Sequence, residues 1–448
     1  MFTLNENVEL TAEILGGFIA EHELEKIKYA KLQNQYMSKP PIMELEEKEN
    51  YKPDNRLVAN FGRYLVLNFN GYFIGVPTKV SHPDDEVNNQ VQTFWKMNDM
   101  DTVLDELGRL TSLYGRSYLF MYQNENSETE VAYNDPYDMF VIYSDKIKPK
   151  SIYGIRYEKT EDGYEGEIYG TDQWWEFLLV DGELIMVEPD VENDGRLFYG
   201  RVPIIEFVQN EERQSLIEPV ETLINGYNKA LSEKANDIDY FADAYLAIIG
   251  AEVDEKGIMN IRDKRLINMF NKGSGGTAKD ILIEFLEKPN ADESQENLLD
   301  RLERLIYNLG MVVNTSDDEL KGAGVASGEA LKVKQQAMHN LAMSKQRKFQ
   351  AALQTMFKMF FNLITNVSPT MQDEYINIEY TWTLNTPKNK TEEVEIVKGL
   401  EGVTSREYQL SQLSDLDVEA ELERIKKEEA ETIATYDYEK TETFEAVE

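Results

Sequence analysis

The stretch Leu216–Ile249, LIEPVETLINGYNKALSEKANDIDYFADAYLAII, decides the fold of this chain. Apolar residues recur along it at a spacing near 3.6 residues, which predicts one long amphipathic helix. The apolar positions are Leu216, Val220, Leu223, Ile224, Tyr227, Leu231, Ile238 and Phe241. The pattern reaches Ile249, and Gly250 is expected to end the helix because glycine is common just past a helix C-terminus.

A second helix of the same kind is predicted to begin near Asp292 and to end near Val313. Gln295 follows Asp292 by three residues, which indicates a capping box. Its apolar face contains Leu298, Leu302, Leu305, Ile306 and Leu309. From Glu296 onward such a helix is ~27 Å long. The two helices bracket a compact insert, 251–289, with short β-like pieces, and together they predict a two-helix pillar.

A long helix is predicted from Ser327 to about Asn366, after a polar loop, 314–326, that contains Gly322 and Gly324. Ser327 is a natural N-cap, and Glu329 in the first turn opposes the helix dipole. The apolar stripe is Met338, Leu341, Ala342, Phe349, Leu353, Met356, Phe357, Phe360 and Ile364. The bases on this helix are Lys332, Lys334, Lys345, Arg347, Lys348 and Lys358. They indicate either the outer face of an ordinary amphipathic helix or a contact between subunits.

The N-terminal half is predicted as helices followed by antiparallel sheet. The predicted helices are ~5–50, ended by Pro40-Pro41; ~55–70, capped by Asp54 or Asn55 and followed by a turn at Asn70-Gly71; and ~86–114. The predicted strands are Ser117–Tyr122, Met139–Tyr143, Ser151–Tyr157, Tyr164–Tyr169, Gln173–Val180 and Ile204–Val208. A further strand is predicted at Tyr375–Leu384. For Trp174-Trp175 we favour sheet packing over ligand stacking.

The composition excludes several classes of protein. The 448 residues, 42% hydrophobic and 11% aromatic, suffice for two or three globular domains. There is no cysteine, which excludes disulfides, thiolate catalysis and cysteine-based metal sites. The three histidines, His22, His82 and His339, are far apart in sequence, so a paired-histidine metal motif is excluded. We expect them to be packing or surface residues.

The sequence contains neither a membrane span nor a secretory signal. No apolar run approaches the ~18 residues that a membrane-spanning helix needs. The N-terminal residues Met1–Glu6 lack the basic region and apolar core of a signal peptide. We therefore predict a soluble intracellular product without membrane contact.

The formal net charge is −37, which argues against broad DNA binding because Lys and Arg supply affinity for phosphates. Either the acidic surface is simply solvated, or it lies near DNA without binding it firmly. The tail, Thr391–Glu448, has 18 acidic against 6 basic residues. It is predicted to be helical to about Glu429 and frayed over Glu431–Glu448.

Two features could suggest enzyme chemistry. The loop Gly273–Lys279 resembles a phosphate-binding loop, but Thr277-Ala278 separate its glycines from Lys279, so a flexible exposed loop is the favoured interpretation. Acidic pairs such as Asp84-Asp85 are expected by chance among 83 acidic residues. An acidic metal-dependent nuclease stays a minor alternative. We expect no catalytic residue, no cofactor and no metal.

Several segments, in order along the chain, resemble the portal family of long-tailed phages, the group named after the SPP1 portal. They are Asn55–Asn60 with Gly71–Pro77, Tyr114–Tyr118, Asn134–Pro136, Pro203–Phe207 with Asn210 and Arg213–Ser215, Ser232–Asp237, and Ser327–Lys332. The resemblance spans roughly 55–360. Another virion structural protein, such as a capsid or scaffold component, is an alternative, although it has no need for this helix–insert–helix–loop–long-helix order.

The resemblance implies an α+β portal fold with a mixed wing domain, a two-helix stem, a small α/β clip insert, a long wing helix and a helical C-terminal crown. The implied segments are wing 1–215, stem helices 216–250 and 290–313, clip 251–289, tunnel loop 314–326, wing helix and strand 327–390, and crown 391–448. It also implies a closed homo-oligomeric ring, usually of twelve subunits, at the portal vertex of the virion, assembled in the host bacterial cytoplasm.

The implied partners are the terminase large subunit, the head-tail adaptor, the major capsid and scaffolding proteins, and double-stranded DNA that passes through weakly and without sequence specificity. The DNA-facing tunnel loop would contain Asp317, Asp318, Glu319, Lys321, Gly322 and Gly324. The start of the wing helix would be Ser327, Gly328, Glu329 and Lys332. The clip would contact the terminase or adaptor through Arg262, Lys264, Arg265 and Lys272.

Overall fold

The computed structural model describes residues 1–48, 53–189, 195–242, 246–249, 282–285, 292–314, 333, 335–386, 390–413, 416, 418 and 421–428. The chain divides into two compact units. The first unit is Met1–Val313 with Asn340–Thr383, and the second unit is Asn314–His339 with Leu384–Glu448. Helices and strands are mixed in the first unit, which confirms the predicted α+β class.

The described helices are α1 (Ala12–Tyr36), α2 (Phe61–Ile74), α3 (Asp85–Met97), α4 (Met100–Tyr114), α5 (Glu221–Ala242), α6 (Asp292–Gly310), α7 (Gln336–Asn362), α8 (Lys390–Leu400) and α9 (Arg406–Leu410). The described strands are β1 (Phe2–Leu4), β2 (Lys79–Ser81), β3 (Arg116–Gln123), β4 (Thr129–Asn134), β5 (Met139–Ser144), β6 (Ser151–Lys159), β7 (Gly163–Tyr169), β8 (Trp174–Val180), β9 (Glu183–Val187), β10 (Ile204–Val208), β11 (Leu246–Ile249), β12 (Leu282–Phe285) and β13 (Glu379–Thr381).

Helix α1 is shorter than the predicted ~5–50. It begins after Thr11, whose hydroxyl accepts from the Ile14 amide at 3.4 Å. It ends at Tyr36, with Met37 as its C-cap, because Ser38 has a φ of 61°, which an α-helix does not accommodate. The predicted stop at Pro40-Pro41 therefore lies beyond the helix, and Pro41–Glu44 form a 3₁₀ turn.

Helix α2 begins at Phe61, so the predicted start near residue 55 and the predicted caps Asp54 and Asn55 are wrong. The cap is Asn60, whose Oδ1 accepts from the Arg63 amide at 2.8 Å. The predicted turn at Asn70-Gly71 is also wrong, since both residues lie inside α2. Asn70 is buried there and its Nδ2 donates to the Asp105 carboxylate at 2.8 Å.

The predicted single helix ~86–114 is two helices, α3 and α4. Asp99 between them has a φ of 45°, a left-handed conformation that interrupts the helix. Asn98 stabilises the break because its Nδ2 donates to the carbonyls of Phe94 and Thr129 at 3.0 and 3.1 Å. Apolar residues continue at helical spacing across this point, so the sequence pattern does not reveal the break.

The larger sheet has the order β1-β5-β6-β7-β8-β9 and is antiparallel except for β1, which pairs parallel with β5. Helix α1 packs on one face of it, where Leu15 and Ile19 join a core with Phe140, Ile155 and Phe177. A second sheet, β10-β3-β4, and a two-stranded pairing of β13 with β2 complete the described β structure of the body.

The predicted strands between 117 and 208 are confirmed within two residues at each end. Strands β4 and β9 were not predicted. Both are short partners that pair with a longer neighbour, β4 with β3 and β9 with β8. Trp174 stacks on Tyr169 with ring centroids 5.7 Å apart, as sheet packing predicts.

The helix predicted over 216–249 ends at Ala242. Residues Leu246–Ile249 form β11, which pairs antiparallel with β12. The apolar residues Leu246, Ile248 and Ile249 satisfy the helical pattern and a strand equally well, so periodicity alone misassigns them. The second helix, α6, begins at Asp292 as predicted and ends at Gly310, three residues early.

Helix α7 ends at Asn362, not near residue 366, and Ile364 is 73% exposed although the predicted stripe buried it. Its predicted start at Ser327 lies outside the described residues. The predicted strand Tyr375–Leu384 is mostly wrong, since Glu374–Asn377 are a 3₁₀ turn and only Glu379–Thr381 are strand.

In the second unit, α8 and α9 bear out the predicted helical character of the tail as far as it is described. The cap of α9 is Ser405, whose hydroxyl accepts from the Tyr408 amide at 3.3 Å. The helical residues 421–428 extend this character toward Glu429, and the predicted frayed end 431–448 lies outside the described residues.

Candidate functional site

The helix pair that the sequence predicts is present in the structure as α5 and α6. Tyr227 of α5 and Tyr307 of α6 both pack edge-on against Phe61, with ring centroids 4.9 and 5.7 Å away. At the opposite end Lys234 pairs with Glu296, and the neighbouring Gln295 side chain donates to Asp237 at 3.1 Å. The two helices are therefore antiparallel. Gln295 turns to the partner helix here, where the sequence predicted a capping box.

A two-stranded ribbon follows the end of this pair. Strand β11 comes four residues after the last residue of α5, and β12 ends seven residues before α6 begins. The register pairs Leu246 with Phe285 and Ile249 with Leu282. The ribbon thus brings the two ends of the insert together, Leu246–Ile249 beside Leu282–Phe285.

Polar side chains of α5 hold an extended segment, 55–59, against the helix. The amides of Asn55, Leu57 and Ala59 donate to Asn236 Oδ1, Ser232 Oγ and Asn228 Oδ1 at 2.6, 2.9 and 2.8 Å. Four residues of helix advance ~6.0 Å. Two residues of extended chain advance ~6.6 Å. Because these two distances nearly match, one side chain from each turn of α5 accepts a hydrogen bond from every second amide of the extended segment.

This ladder joins two segments that the family resemblance singled out, Asn55–Asn60 and Ser232–Asp237. It also explains why no helix forms before Phe61, since every second amide of this extended segment, those of Asn55, Leu57 and Ala59, already has an acceptor on α5. The sequence indicated both segments but contained no signal that they touch.

A buried charge network joins three more of those segments. Glu206 on β10, with its side chain 3% exposed, accepts two hydrogen bonds from Arg213 at 2.8 and 2.7 Å and one from Tyr143 at 2.8 Å. Arg116 lies 3.7 Å from Glu206 and pairs with Glu25 of α1 at 3.0 Å. Burial acts to raise the pKa of Glu206, but Arg213 and Arg116 outweigh it and keep the pKa below its ordinary value.

Gly115 allows this network to close. Its φ is 85°, and a Cβ there would lie 2.0 Å from the Arg213 carbonyl oxygen. The loop that contains Arg213 therefore packs directly on the Gly115 backbone, where the Gly115 carbonyl accepts from the Gln209 amide at 2.9 Å. Any larger residue would displace Arg213 from Glu206.

His22 and His82 are packing residues, as expected. His22 Nε2 lies 2.9 Å from the Pro136 carbonyl and Nδ1 lies 2.9 Å from the Tyr157 hydroxyl. Burial lowers the pKa of His22 to about 4, so the ring is neutral at pH 7. His82 is also buried, and its Nδ1 accepts from the Asp84 amide at 3.0 Å. His339 is exposed.

Lys345 does not belong to a basic outer face of the long helix, which was one of the two interpretations of its bases. Its side chain is fully buried and donates to the Gly108 carbonyl and the Ser112 hydroxyl, both at 2.7 Å. The rings of Phe69, Phe73 and Phe349 lie 5.0–5.4 Å from its nitrogen. Burial lowers the pKa of Lys345 well below its ordinary value, although the charge of Asp105 opposes this.

Two other bases of α7 also make contacts within the first unit. Lys348 pairs with Glu211, and the Lys358 ammonium lies 5.4 Å from the centre of the Tyr375 ring. Lys332 and Lys334 lie outside the described residues. Lys345, Lys348 and Lys358 therefore make three separate contacts and do not form one continuous face.

Every residue predicted to face DNA or a partner lies outside the described residues. This holds for the tunnel-loop residues Asp317, Asp318, Glu319, Lys321, Gly322 and Gly324. It holds for the helix start at Ser327, Gly328, Glu329 and Lys332, and for the clip residues Arg262, Lys264, Arg265 and Lys272. Those assignments stay predictions.

Neither a metal-binding cluster nor a membrane-spanning helix occurs among the described residues. No group of three or more His, Asp or Glu side chains there could hold a metal ion. None of the described helices combines the length and apolar character that crossing a membrane requires.

The described residues combine a mixed α+β body with the antiparallel pair α5 and α6 and the long helix α7. The sequence matches, over residues 16–435, the family described as "Phage portal protein, SPP1 Gp6-like". The chain belongs to this family, whose members are structural virion components, and the resemblance inferred from the sequence is confirmed.

Two known relatives agree with this assignment. The portal protein of Bacillus phage SPP1 is 23% identical over 399 residues, covering 85% of this chain and 77% of the relative. The portal protein of Clostridium phage phiCD119 is 21% identical over 399 residues, covering 84% of this chain and 85% of the relative.

Two solved structures of gene transfer agent particles are more distantly similar. The structure titled "Neck of empty GTA particle computed with C6 symmetry" has a TM-score of 0.47 at 14% identity, covering 86% of this chain and 93% of that one. The structure titled "Virion of native gene transfer agent (GTA) particle" has a TM-score of 0.41 at 13% identity, with coverages of 85% and 91%. The family match, and not this likeness, is the basis of the assignment.

Proposed function

We propose that this chain is the subunit of a closed ring, of twelve copies, at a single capsid vertex, through which double-stranded DNA is packaged and later ejected. The observation that carries the proposal is the antiparallel pair α5 and α6 with the β11–β12 ribbon at its end. A ring closes through head-to-tail contacts, in which each subunit uses two different surfaces. A rigid helix pair is an element that neighbours can pack against on both sides.

In this proposal the segments have the roles that the family implies. The wing is 1–215, the stem helices are 216–250 and 290–313, the clip is 251–289, the tunnel loop is 314–326, the wing helix and strand are 327–390, and the crown is 391–448. Within the stem, the end of α5 and the first strand of the ribbon both fall before residue 250, so the helical part of the first stem segment is α5 alone.

The acidic charge suits a conduit that DNA must slide through. Persistent salt bridges to phosphates would slow movement, whereas a net charge of −37 keeps affinity low. The loop containing Asp317, Asp318, Glu319 and Lys321 would project toward the bore, and Gly322 and Gly324 would let it move.

The proposed partners are the terminase large subunit, the head-tail adaptor, the major capsid protein and the scaffolding protein. The clip residues Arg262, Lys264, Arg265 and Lys272 would contact the terminase or the adaptor. Assembly would take place in the host bacterial cytoplasm, and the finished ring would reside in the virion at the portal vertex.

Imaging and mass measurement of the purified full chain test the ring. Negative-stain electron microscopy should show annular particles with a central hole, and native mass spectrometry should give a mass of about twelve subunits. A preparation that stays monomeric at every concentration and salt level would overturn the proposal, as would a metal-dependent nuclease activity that copurifies with the chain.

Charge reversal tests the clip. A variant in which four clip bases are changed to Glu should fail to complete heads while rings still form. The four bases are Arg262, Lys264, Arg265 and Lys272. The matched control changes four exposed bases elsewhere, Lys31, Lys79, Lys96 and Lys148, to Glu, and head completion should continue. If the clip variant fails to form rings, the clip assignment is wrong.

Deletion of 317–321 tests the tunnel loop. The variant should form rings of the same mass but should lose DNA during or after packaging, measured as protected DNA per particle. Normal packaging and normal DNA retention would refute a role for this loop.

A further inference from the structure

The outer face of the larger sheet is partly covered and partly open. The inner face is identified by core residues such as Ile155 of β6, Ile168 of β7 and Phe177 of β8, which pack with α1. Their neighbours in each strand point to the other side. Near Gly154 and Tyr169 that outer side is covered, because Val202 and Ile204 pack there. Toward β9 no described residue covers it.

The open part of the face carries four glutamates in opposed pairs. Glu158 of β6 lies directly opposite Glu165 of β7, and Glu167 of β7 lies directly opposite Glu176 of β8. Like charges at directly opposed positions destabilise a sheet. Arg156 offsets one of them, since it pairs with Glu167 at 3.1 Å. The face therefore keeps an unbalanced negative charge.

An apolar strip borders these glutamates on the same face. Leu178 lies opposite Glu165 on one side and Ile185 on the other, and Val187 lies opposite Glu176. Leu178, Ile185 and Val187 are 37%, 51% and 53% exposed. Together the acidic pairs and the strip line a groove of about 540 Å³. Water-exposed apolar residues beside uncompensated acids form an amphipathic surface that is open in the described structure.

We propose that this groove docks a cationic amphipathic segment of a partner protein. The partner's apolar side chains would cover Leu178, Ile185 and Val187, and its Lys or Arg side chains would neutralise the opposed glutamates. Charge complementarity selects this occupant. A second copy of this chain would bring a strongly acidic surface to an acidic face, and DNA would bring phosphates, so both would be repelled.

A synthetic amphipathic peptide of Leu and Lys tests the groove on the full-length protein. Binding is measured by fluorescence anisotropy with a labelled peptide. The variant with Glu158, Glu165, Glu167 and Glu176 all changed to Gln should bind at least about tenfold more weakly, because several charge pairs are lost together. The matched control changes Glu44, Glu46, Glu47 and Glu86, which are exposed elsewhere, to Gln and should bind within about twofold of the unmodified protein.

A separate experiment tests the contribution of the apolar strip to peptide binding. I185S combined with V187S should weaken binding of the peptide, and a scrambled peptide of the same composition should bind more weakly to the unmodified protein. Hydrogen exchange in β8 and β9 should slow when the amphipathic peptide is bound, which locates binding independently of the variants.

Three results would overturn the proposal. The two Glu→Gln variants could lose affinity equally, which would mean that only the overall charge attracts the peptide. Exchange could slow elsewhere and not in β8 and β9. The Ile185 and Val187 variant could change the particle mass, which would make this face a contact between copies of the chain. The first two results have no bearing on whether the chain forms a ring, so the groove and the ring can fail separately.

Discussion

The buried side chains of Glu206 and Lys345, both in the first unit, have opposite surroundings. Glu206 is surrounded by opposite charge and hydrogen-bond donors, namely Arg213, Arg116 and Tyr143. Lys345 is surrounded by neutral acceptors and by aromatic rings. Consequently the carboxylate keeps a pKa below its ordinary value and stays ionised, whereas the pKa of the lysine falls and its neutral form is favoured.

The difference shows that burial alone does not determine how a charge behaves. Two N–H groups of a neutral amine suffice for the two oxygen acceptors of Lys345, whereas Glu206 receives three hydrogen bonds that all favour its charged form. The hydrogen bonds of Lys345 connect α7 to α4 without a charge pair. The ion pair between Glu206 and Arg213 holds the loop that contains Arg213 against β10. Each makes a different prediction when its central residue is changed.

The largest effect is expected from Glu206→Gln. This change leaves Arg213 and Arg116 without their buried counter-charge, which typically costs about 3–5 kcal/mol. Denaturant unfolding followed by circular dichroism measures it. Glu161→Gln, at an exposed turn, is the control and should leave the midpoint almost unchanged. Equal midpoints for the two variants would show that the network contributes nothing to stability.

The next largest effect is a pH dependence caused by Lys345. Its pKa is lower in the folded than in the unfolded protein, so between the two values the unfolded state binds more protons and the free energy of unfolding rises with pH. Relative to Lys345→Met, the unmodified protein should become more stable as the pH rises from 7 to 9, by no more than the ~1.4 kcal/mol per pH unit that one proton allows. The gain should cease above the ordinary lysine pKa.

Lys348→Met is the control for this experiment. Lys348 pairs with Glu211 at the surface, so its removal should leave the pH dependence of the unmodified protein in place. A stability difference between the unmodified protein and Lys345→Met that is flat from pH 7 to pH 9 would show that Lys345 is charged in the folded state.

A smaller effect is expected where the buried groups are polar but uncharged. Ser232→Ala removes the acceptor of the Leu57 amide and should cost about 1–2 kcal/mol. Lys229→Ala, on the exposed side of the same helix, is the control, and unfolding midpoints measure both. Because no charge is involved, the loss should not vary between pH 6 and pH 9. A pH-dependent loss would mean that the ladder is coupled to a titrating group.

The sequence predicted those features that depend on regular local patterns. The strands from 117 to 208 and the pair α5 and α6 follow from periodicity and from turn residues, and the α+β class follows from both. The residues that ended or interrupted helices were harder to predict. Asp99 and Ser38 adopt left-handed conformations through local contacts, and Leu246–Ile249 become a strand because β12 is available to pair with them.

The candidate site illustrates the same limit. The resemblance indicated Gly115, Glu206, Arg213 and Ser232, but contacts between residues about 100 positions apart leave no periodic trace in one sequence. Lys345 is the plainest example. It was grouped with five other bases of the long helix, and only its depth between Gly108 and the phenylalanine rings distinguishes it.

The smallest loss of stability is expected when the change removes a surface carboxylate whose hydrogen bonds come from backbone amides. Asp84 Oδ1 accepts from the amides of Glu86 and Val87 at 3.0 Å each, so Asp84→Ala should cost about 1 kcal/mol through the lost cap of α3. Asp85→Ala, one residue later without such bonds, is the control and should cost less. Thermal melts of the two variants and of the unmodified protein at pH 7 measure this. If Asp84→Ala cost as much as Glu206→Gln, burial would not be what separates large from small charge effects in this protein.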